Sequence, residues 1–231
     1  MDTQKITAIE PQAHHPDRYN ISLDGRFAFG LDGAVIVAEG LGVGRELTPD
    51  DVTRLQAADD ERKLLDAALH FLAPRPRSRV EVRRRLLTPK RNRALPSTEA
   101  VDRILDRLEQ MGLLDDREFA GFWVENRERF SPRSSRALGQ ELRQRGVSRE
   151  TVDAVSDPDR DEERALAAAR QRLRAVANAD YETFRTRLGQ FLLRRGFSYS
   201  VARSAVRQLW EETHGEDAGD MDDENDPDGA D

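Results

Sequence analysis

The chain has no cysteine. Disulfides, thiolate catalysis and cysteine-ligated zinc or iron–sulfur centres are therefore excluded. Only three of its 37 basic residues are lysines, so the positive charge is almost all arginine. No apolar run approaches the roughly 18–20 residues that a membrane-spanning helix needs. The opening "MDTQKITAIEPQ" lacks the apolar core of a secretory signal. A soluble, cytoplasmic chain without membrane contact is the expectation. Catalytic spacings are missing too, since G-x-S-x-G, S-x-x-K and H-E-x-x-H do not occur. No enzymatic activity is expected, and neither a metal nor another cofactor.

Three fragments resemble ligand sites, and each fails on physical grounds. "GLGVGRE" (40–46) has no following Lys-Ser/Thr and places Glu46 where a phosphate would approach, so it is a turn. His14 and His15, with Asp17 nearby, point in divergent directions and belong to a surface loop, while His70 sits in the flow of a helix. "ENDPDG" (224–229) mimics the start of a calcium loop, but Pro227 interrupts it and the bidentate Glu of position twelve would fall past residue 231. That acidic stretch is expected to be disordered.

What the chain does have is charge. Charged residues make up 35% and the mean hydropathy is −0.75, which predicts an extended, largely helical architecture. The net charge of −7 conceals a division. Residues 211–231 hold 11 acids and no Lys or Arg, which leaves 33 acids against all 37 Lys and Arg in residues 1–210. Within "RPRSRVEVRRRLLTPKRNR" (75–93), nine bases face the single acid Glu81. A basic body suits an anionic partner, either nucleic acid or an acidic protein face.

Residues 1–58 are expected to form a small β-meander. "KITAIE", "RYNISL" and "RFAFGL" partly alternate, and Asp24-Gly25 between the last two is a hairpin signal. "AVIVAEG" is open between a short helix and a strand. So small a sheet must lean on the helices behind it. From about Asp59 the period becomes helical, and three segments align as copies. Val82, Leu138 and Leu188 fall in one column, Leu86, Leu142 and Leu192 in a second, Ser78, Ser134 and Phe184 in a third, and Gly146 matches Gly196. Longer helices (61–72, 117–130, 162–176) precede these segments, and others follow from near Thr98, Ser148 and Ser198. The expectation is a mainly α protein of three tandem three-helix repeats (59–116, 117–157, 158–212) in an elongated curved array, followed by an acidic tail (213–231). The first copy carries an insertion at 88–97, "TPKRNRALPS".

In "GLLDDREFAGFWVENR" (112–127), Asp115 and Glu118 have capping-box spacing, and acids in a first turn suit the helix dipole. Phe119, Phe122, Trp123 and Phe130 share one helical face. These acids need no catalytic role, and the aromatics are expected in the core with Leu138, Leu142, Leu188 and Leu192. The functional weight falls on a basic strip: Arg75, Arg77, Arg79, Arg83, Arg84, Arg85, Lys90, Arg91 and Arg93 in the first copy, Arg133, Arg136, Arg143 and Arg145 in the second, Arg185, Arg187, Arg194 and Arg195 in the third. Guanidinium forks pair equally well with phosphates and carboxylates, so the strip by itself leaves both partners open.

"PRPRSRVEVRRRLL", "LEQMGLLDDREFAGFWVENR" and "SPRSSRALGQELRQRGVSRE" resemble the successive signatures of the RecX family, regulators of the RecA recombinase, and "ITAIEPQ…DRYNISLDGRFAFGL" is similar to the β segment of many members. The resemblance runs from about residue 5 to 212 and is looser in the third copy. It implies a protein that binds RecA–DNA filaments and restrains ATP hydrolysis, strand exchange and SOS co-protease function; the chain is expected to be a monomer. DNA, single- or double-stranded, is a second contact. The family pattern falls on Arg77-Ser78, Val82, Leu114-Asp115-Asp116, Phe119-Ala120, Trp123, Arg127, Leu142 and Gly146, mostly scaffold positions. The alternative is a DNA-binding protein whose arginine-rich units neutralise phosphates directly.

Overall fold

A computed structural model describes residues 3–88 and 95–215. In chain order the elements are β1 (Gln4–Gln12), β2 (His15–Leu23), β3 (Arg26–Asp32), α1 (Gly33–Ala38), β4 (Glu46–Leu47), α2 (Pro49–Leu72), α3 (Arg79–Leu86), α4 (Thr98–Gln110), α5 (Asp116–Phe130), α6 (Ser135–Gln144), α7 (Arg149–Val155), α8 (Asp161–Arg172), α9 (Tyr181–Arg194) and α10 (Tyr199–His214). They divide into two compact units, residues 1–75 with 82–114, and residues 76–81 with 115–231.

The first unit opens with an antiparallel sheet of order β3-β2-β1-β4. Asp24 (φ 49°) and Gly25 (φ 81°) both take left-handed backbone, as a type I′ turn requires to match strand twist. "AVIVAEG" resolves as helix α1. The sheet buries Ile6, Ile21, Leu23, Phe29, Leu31 and Leu47 against Val35 of α1 and Leu55 of α2, so the meander does borrow its core from a helix. That helix begins earlier than the change of period suggested. Thr48 and Asp51 form a reciprocal capping box at its start, and Val52 and Leu55 form its inward stripe against the sheet. The division placed between residues 58 and 59 therefore falls inside α2. Beyond it, Leu65 and Ala68 join Val82 and Leu86 of α3 and Val101, Ile104, Leu105 and Leu108 of α4 in a second core.

At the middle of α2, Asp59 is 2% exposed. It accepts from Arg18 Nη1 and Nη2 (3.1 and 3.0 Å) and from the Asp32 amide (2.7 Å), and pairs with Lys63 Nζ (2.8 Å). Burial alone would raise its pKa, but these donors outweigh it and hold the carboxyl below its ordinary value. A depressed folded pKa means stability that is present above the unfolded pKa and lost as pH falls through the folded one. The denaturation midpoint is therefore expected to drop as pH is lowered below about 4. Asp59→Asn should flatten that part of the profile; an unchanged slope in the variant would remove Asp59 from the acid response.

In the second unit, Phe119 and Ala120 of α5 pack with Leu142, Val147 and Val152. Ala165, Ala168 and Ala169 of α8 pack with Phe184, Leu188 and Leu192 of α9 and Ala202, Ala205, Val206 and Leu209 of α10. The two leucine columns are buried in all three copies. The third column is not equivalent throughout. Ser78 and Ser134 cap α3 and α6, whereas α9 is capped a turn earlier by Asp180, and Phe184 lies inside the helix against Trp210.

The aromatic face of α5 is also less buried than its spacing implies. Only Phe119 is enclosed; Phe130 is 65% exposed, and Phe122 and Trp123 are half-buried. The covering helix α7 has seven residues and reaches only part of fifteen-residue α5. Finally, α10 continues to His214, whose ring stacks on Trp210 at 3.6 Å, so residues 213 and 214 belong to the helix. Residues 216–231, and with them the rest of the acidic tail, lie outside the described residues.

Candidate partner-binding surface

The arginines of the basic strip separate into two populations. One is committed to the protein itself. Arg145 lies over the Trp123 ring (3.8 Å to its centre) and 3.7 Å from Glu81, and Arg195 lies over Phe191 (4.6 Å) while donating to Ser131 Oγ and the Pro132 carbonyl. Arg133 pairs with Glu141 at 3.1 Å, which also accepts from Trp123 Nε1 (2.8 Å) and Arg127 Nε (2.9 Å). Arg83 bonds Asp102 at 2.9 Å. Arg75, Arg77 and Arg79 are half-buried, and the Arg79 amide donates to Asp116. These guanidiniums build the scaffold. Trp123, with two of them over its ring and its N–H satisfied, is a polar strut between α5 and α6 rather than an open platform for bases.

The second population is exposed. Arg84 and Arg85 in the first unit, and Arg136, Arg143, Arg187 and Arg194 in the second, are exposed and have no carboxylate partner among the described residues. Arg185 is exposed as well, and Lys90, Arg91 and Arg93 lie outside the described residues. By the leucine alignment, Arg136 and Arg143 fall one position away from Arg187 and Arg194, about 100° around a helix. The free cations are thus not repeats of one another. Arg172 on α8, absent from the strip inferred from sequence, is a further exposed cation without a carboxylate partner among the described residues. It escaped notice because it lies outside the repeated α3/α6/α9 segment.

What sequence reasoning missed altogether is how consecutive copies are joined. The first residue of α5, Asp116, accepts the Arg79 amide at the start of α3 (2.8 Å). The first residue of α8, Asp161, accepts the Ser135 amide at the start of α6 (2.8 Å). Ser78 Oγ donates to the Arg145 carbonyl at the end of α6 (2.7 Å), and the Ser134 amide donates to the Arg195 carbonyl at the end of α9 (3.3 Å). Each long helix, and each middle helix end, thus grips the first turn of the preceding middle helix. The orphan amides and carbonyls of helix termini are satisfied across copies. In "LDD", Asp115 caps its own helix, accepting from the Arg117 and Glu118 amides (2.7 and 3.3 Å), while Asp116 caps the previous copy. The recurring Asp at the head of α5 and of α8 was the available signal.

At the second junction Arg164, 3% exposed, bonds Glu128 of α5 (Nε, 2.9 Å), the Asp157 carbonyl (2.7 Å) and Asp161 (3.3 Å). Arg160 adds a second guanidinium to Glu128 at 2.9 Å. No group of three or more His, Cys, Asp or Glu able to hold a metal ion occurs among the described residues, and none of their helices is long and apolar enough to cross a membrane.

The fold and these cations define a class, a tandem three-helix-repeat protein with exposed guanidiniums on its middle helices. Three family models match the chain: the regulatory protein RecX N-terminal domain at residues 4–48, the RecX second three-helix domain at 115–155 and the RecX third three-helix domain at 159–206. A protein of Bacillus licheniformis named regulatory protein RecX is 32% identical over 88% of this chain and 76% of its own length. One of Listeria welshimeri with the same name is 29% identical over 94% and 80%. The chain belongs to the RecX family. A crystal structure of a regulatory protein RecX superposes with a TM-score of 0.65 at 27% identity, covering 89% of this chain and 99% of the other. RecX from Lactobacillus salivarius, 22% identical over 66% of this chain and 97% of its own, shares the fold with a TM-score of 0.53.

Proposed function

We propose that this chain is a negative modulator of the RecA recombinase. It binds RecA–DNA filaments and restrains ATP hydrolysis, strand exchange and the co-protease function of the SOS response. The observation that carries this reading is the second population of arginines: cations exposed on the middle helix of every copy, without carboxylate partners, in a chain of a regulatory family. Tandem copies suit a polymeric partner. Each contact can be weak, because once one copy is bound the next meets its target at high effective concentration.

The test uses RecA on single-stranded DNA. Wild-type protein is expected to suppress ATPase, strand exchange and repressor cleavage together. Because Arg83 is already paired with Asp102, the informative charge reversal is Arg84→Glu/Arg85→Glu. It should raise the concentration for half-inhibition about tenfold, or about 1.4 kcal/mol, with the helical CD signal unchanged. Equal inhibition by the variant would take α3 out of the contact. A wild-type protein that leaves all three activities untouched at saturation would end the proposal. Direct DNA binding is the competing reading, since guanidiniums serve phosphates as well as carboxylates. It predicts tight binding to bare DNA with a steep salt slope from counterion release, whereas filament binding predicts preference for RecA-coated strands.

A further inference from the structure

An open cleft of about 290 Å³ lies between the end of α8 and the outer face of α9, lined by Arg172, Arg187, Gln190, Phe191 and Arg194. Arg187, Gln190 and Arg194 recur at helical spacing, so one face of α9 directs them to the same side. Phe191 supplies an apolar floor, with the Arg172 guanidinium 5.9 Å from its ring centre. None of the three arginines has a carboxylate partner among the described residues. The cations extend beyond the cleft. The Arg195 side chain is driven down from the usual arginine range, first by burial and then by repulsion from Arg133, Arg127 and Arg172. Three arginines without carboxylate partners, beside the half-buried Arg195 and over an aromatic floor, make a site for several anionic groups on one extended chain.

The chain carries such a ligand. Residues 216–231, "EDAGDMDDENDPDGAD", hold nine acids and no base. They follow α10, which packs in one core with α8 and α9. Sixteen residues fully extended reach up to about 55 Å, against about 21 Å for the length of a helix such as α9. The cleft is within reach, and the tether supplies an effective concentration of order mM.

We infer that the acidic segment 216–231 docks in the arginine-lined cleft of α8 and α9 and competes there with external polyanions. The docking is intramolecular and does not depend on the RecA reading. It adds regulation to it: the third copy is shielded until a more strongly anionic surface displaces the segment.

The absence of cysteine makes the test clean, because Asp228→Cys gives a unique attachment point for a spin label on the full-length chain. At about 25 mM salt the label should broaden the amide signals of residues 187–194 to less than about half their diamagnetic intensity, with recovery at about 500 mM. Arg187→Glu/Arg194→Glu in the same labelled chain should abolish the broadening while signals of the buried core stay in place, since both side chains are exposed. Added oligothymidylate should relieve it competitively. Broadening that is absent at low salt, survives the double reversal, or spreads equally over Arg84, Arg136 and Arg194 would overturn the inference. So would an oligonucleotide that shifts residues 187–194 in a chain whose tail label never reaches them; the cleft would then be a nucleic-acid site. RecA is absent throughout, so this result and the filament assays fail independently.

Discussion

Gly146→Ala is expected to destabilise the second unit by about 2–5 kcal/mol, from two separate causes. The residue closes α6 with φ +83°, where a side chain costs about 1–2 kcal/mol. A Cβ built there would also stand 2.2 Å from Val80 Cγ2 and 2.7 Å from Val80 Cβ. Val80 is β-branched and sits in the first turn of α3, so its rotamer freedom is small and relief requires moving backbone. Overpacking of this kind adds about 1–3 kcal/mol. The two causes separate by mutation. Gly112 closes α4 with φ +67° and has open space around it, so Gly112→Ala should show only the conformational part. Val80→Ala removes the 2.2 Å contact but keeps the Cβ at 2.7 Å, so it should recover part of the steric loss of Gly146→Ala and leave the conformational part. Urea unfolding of the four variants checks this, and equal losses for Gly112→Ala and Gly146→Ala would mean that the approach to Val80 carries no energy. Gly196 repeats the arrangement one copy later, where a Cβ would lie 2.7 Å from Ser134 Oγ and 2.8 Å from Ala137 Cβ.

That glycine shows where the sequence is legible and where it stops. The spacing from Leu138 through Leu142 to Gly146, matched by Leu188, Leu192 and Gly196, exposed the repeat because helix burial and helix termination are local. Both leucines of each copy are buried, and both glycines do end helices. The second reason for each glycine is a contact with the preceding copy, and no local pattern encodes it. Ser78 and the Arg145 carbonyl are 67 residues apart in the chain, and Ser135 and Asp161 are 26 apart. The arginines failed in the same way. A count of bases gave Arg145 and Arg195 the same weight as Arg143 and Arg194, yet the first pair stacks on rings and the second is exposed. Periodicity placed Phe130 on the face of Phe119, and it does fall there by angle; what was illegible was that α7 is too short to cover it.

The buried ion pair at the second junction should respond asymmetrically to the loss of its two members. Glu128→Ala leaves Arg164 enclosed at 3% exposure with only the more distant Asp161 carboxylate and one carbonyl, an incompletely compensated buried cation. The expected cost is about 3 kcal/mol. Arg164→Met removes the buried charge itself. The Glu128 left behind is 21% exposed and keeps Arg160 at 2.9 Å, so the cost should be nearer 1–2 kcal/mol, roughly that of lost hydrogen bonds. The double variant Glu128→Leu/Arg164→Met replaces the pair with apolar groups and should return to within about 1 kcal/mol of wild type. A Glu128→Leu/Arg164→Met cycle, closed with Glu128→Leu alone, should give a coupling of at least about 3 kcal/mol. The reason lies in desolvation: the pair contributes little net stability over hydrophobic side chains of similar volume, but either charge alone is a liability in proportion to its burial. Denaturant unfolding of the single and double variants measures every corner. If the two single variants cost the same, burial at Arg164 does not set the energy of this junction; if the double variant is as unstable as Glu128→Ala, the pair supplies stability that packing cannot replace.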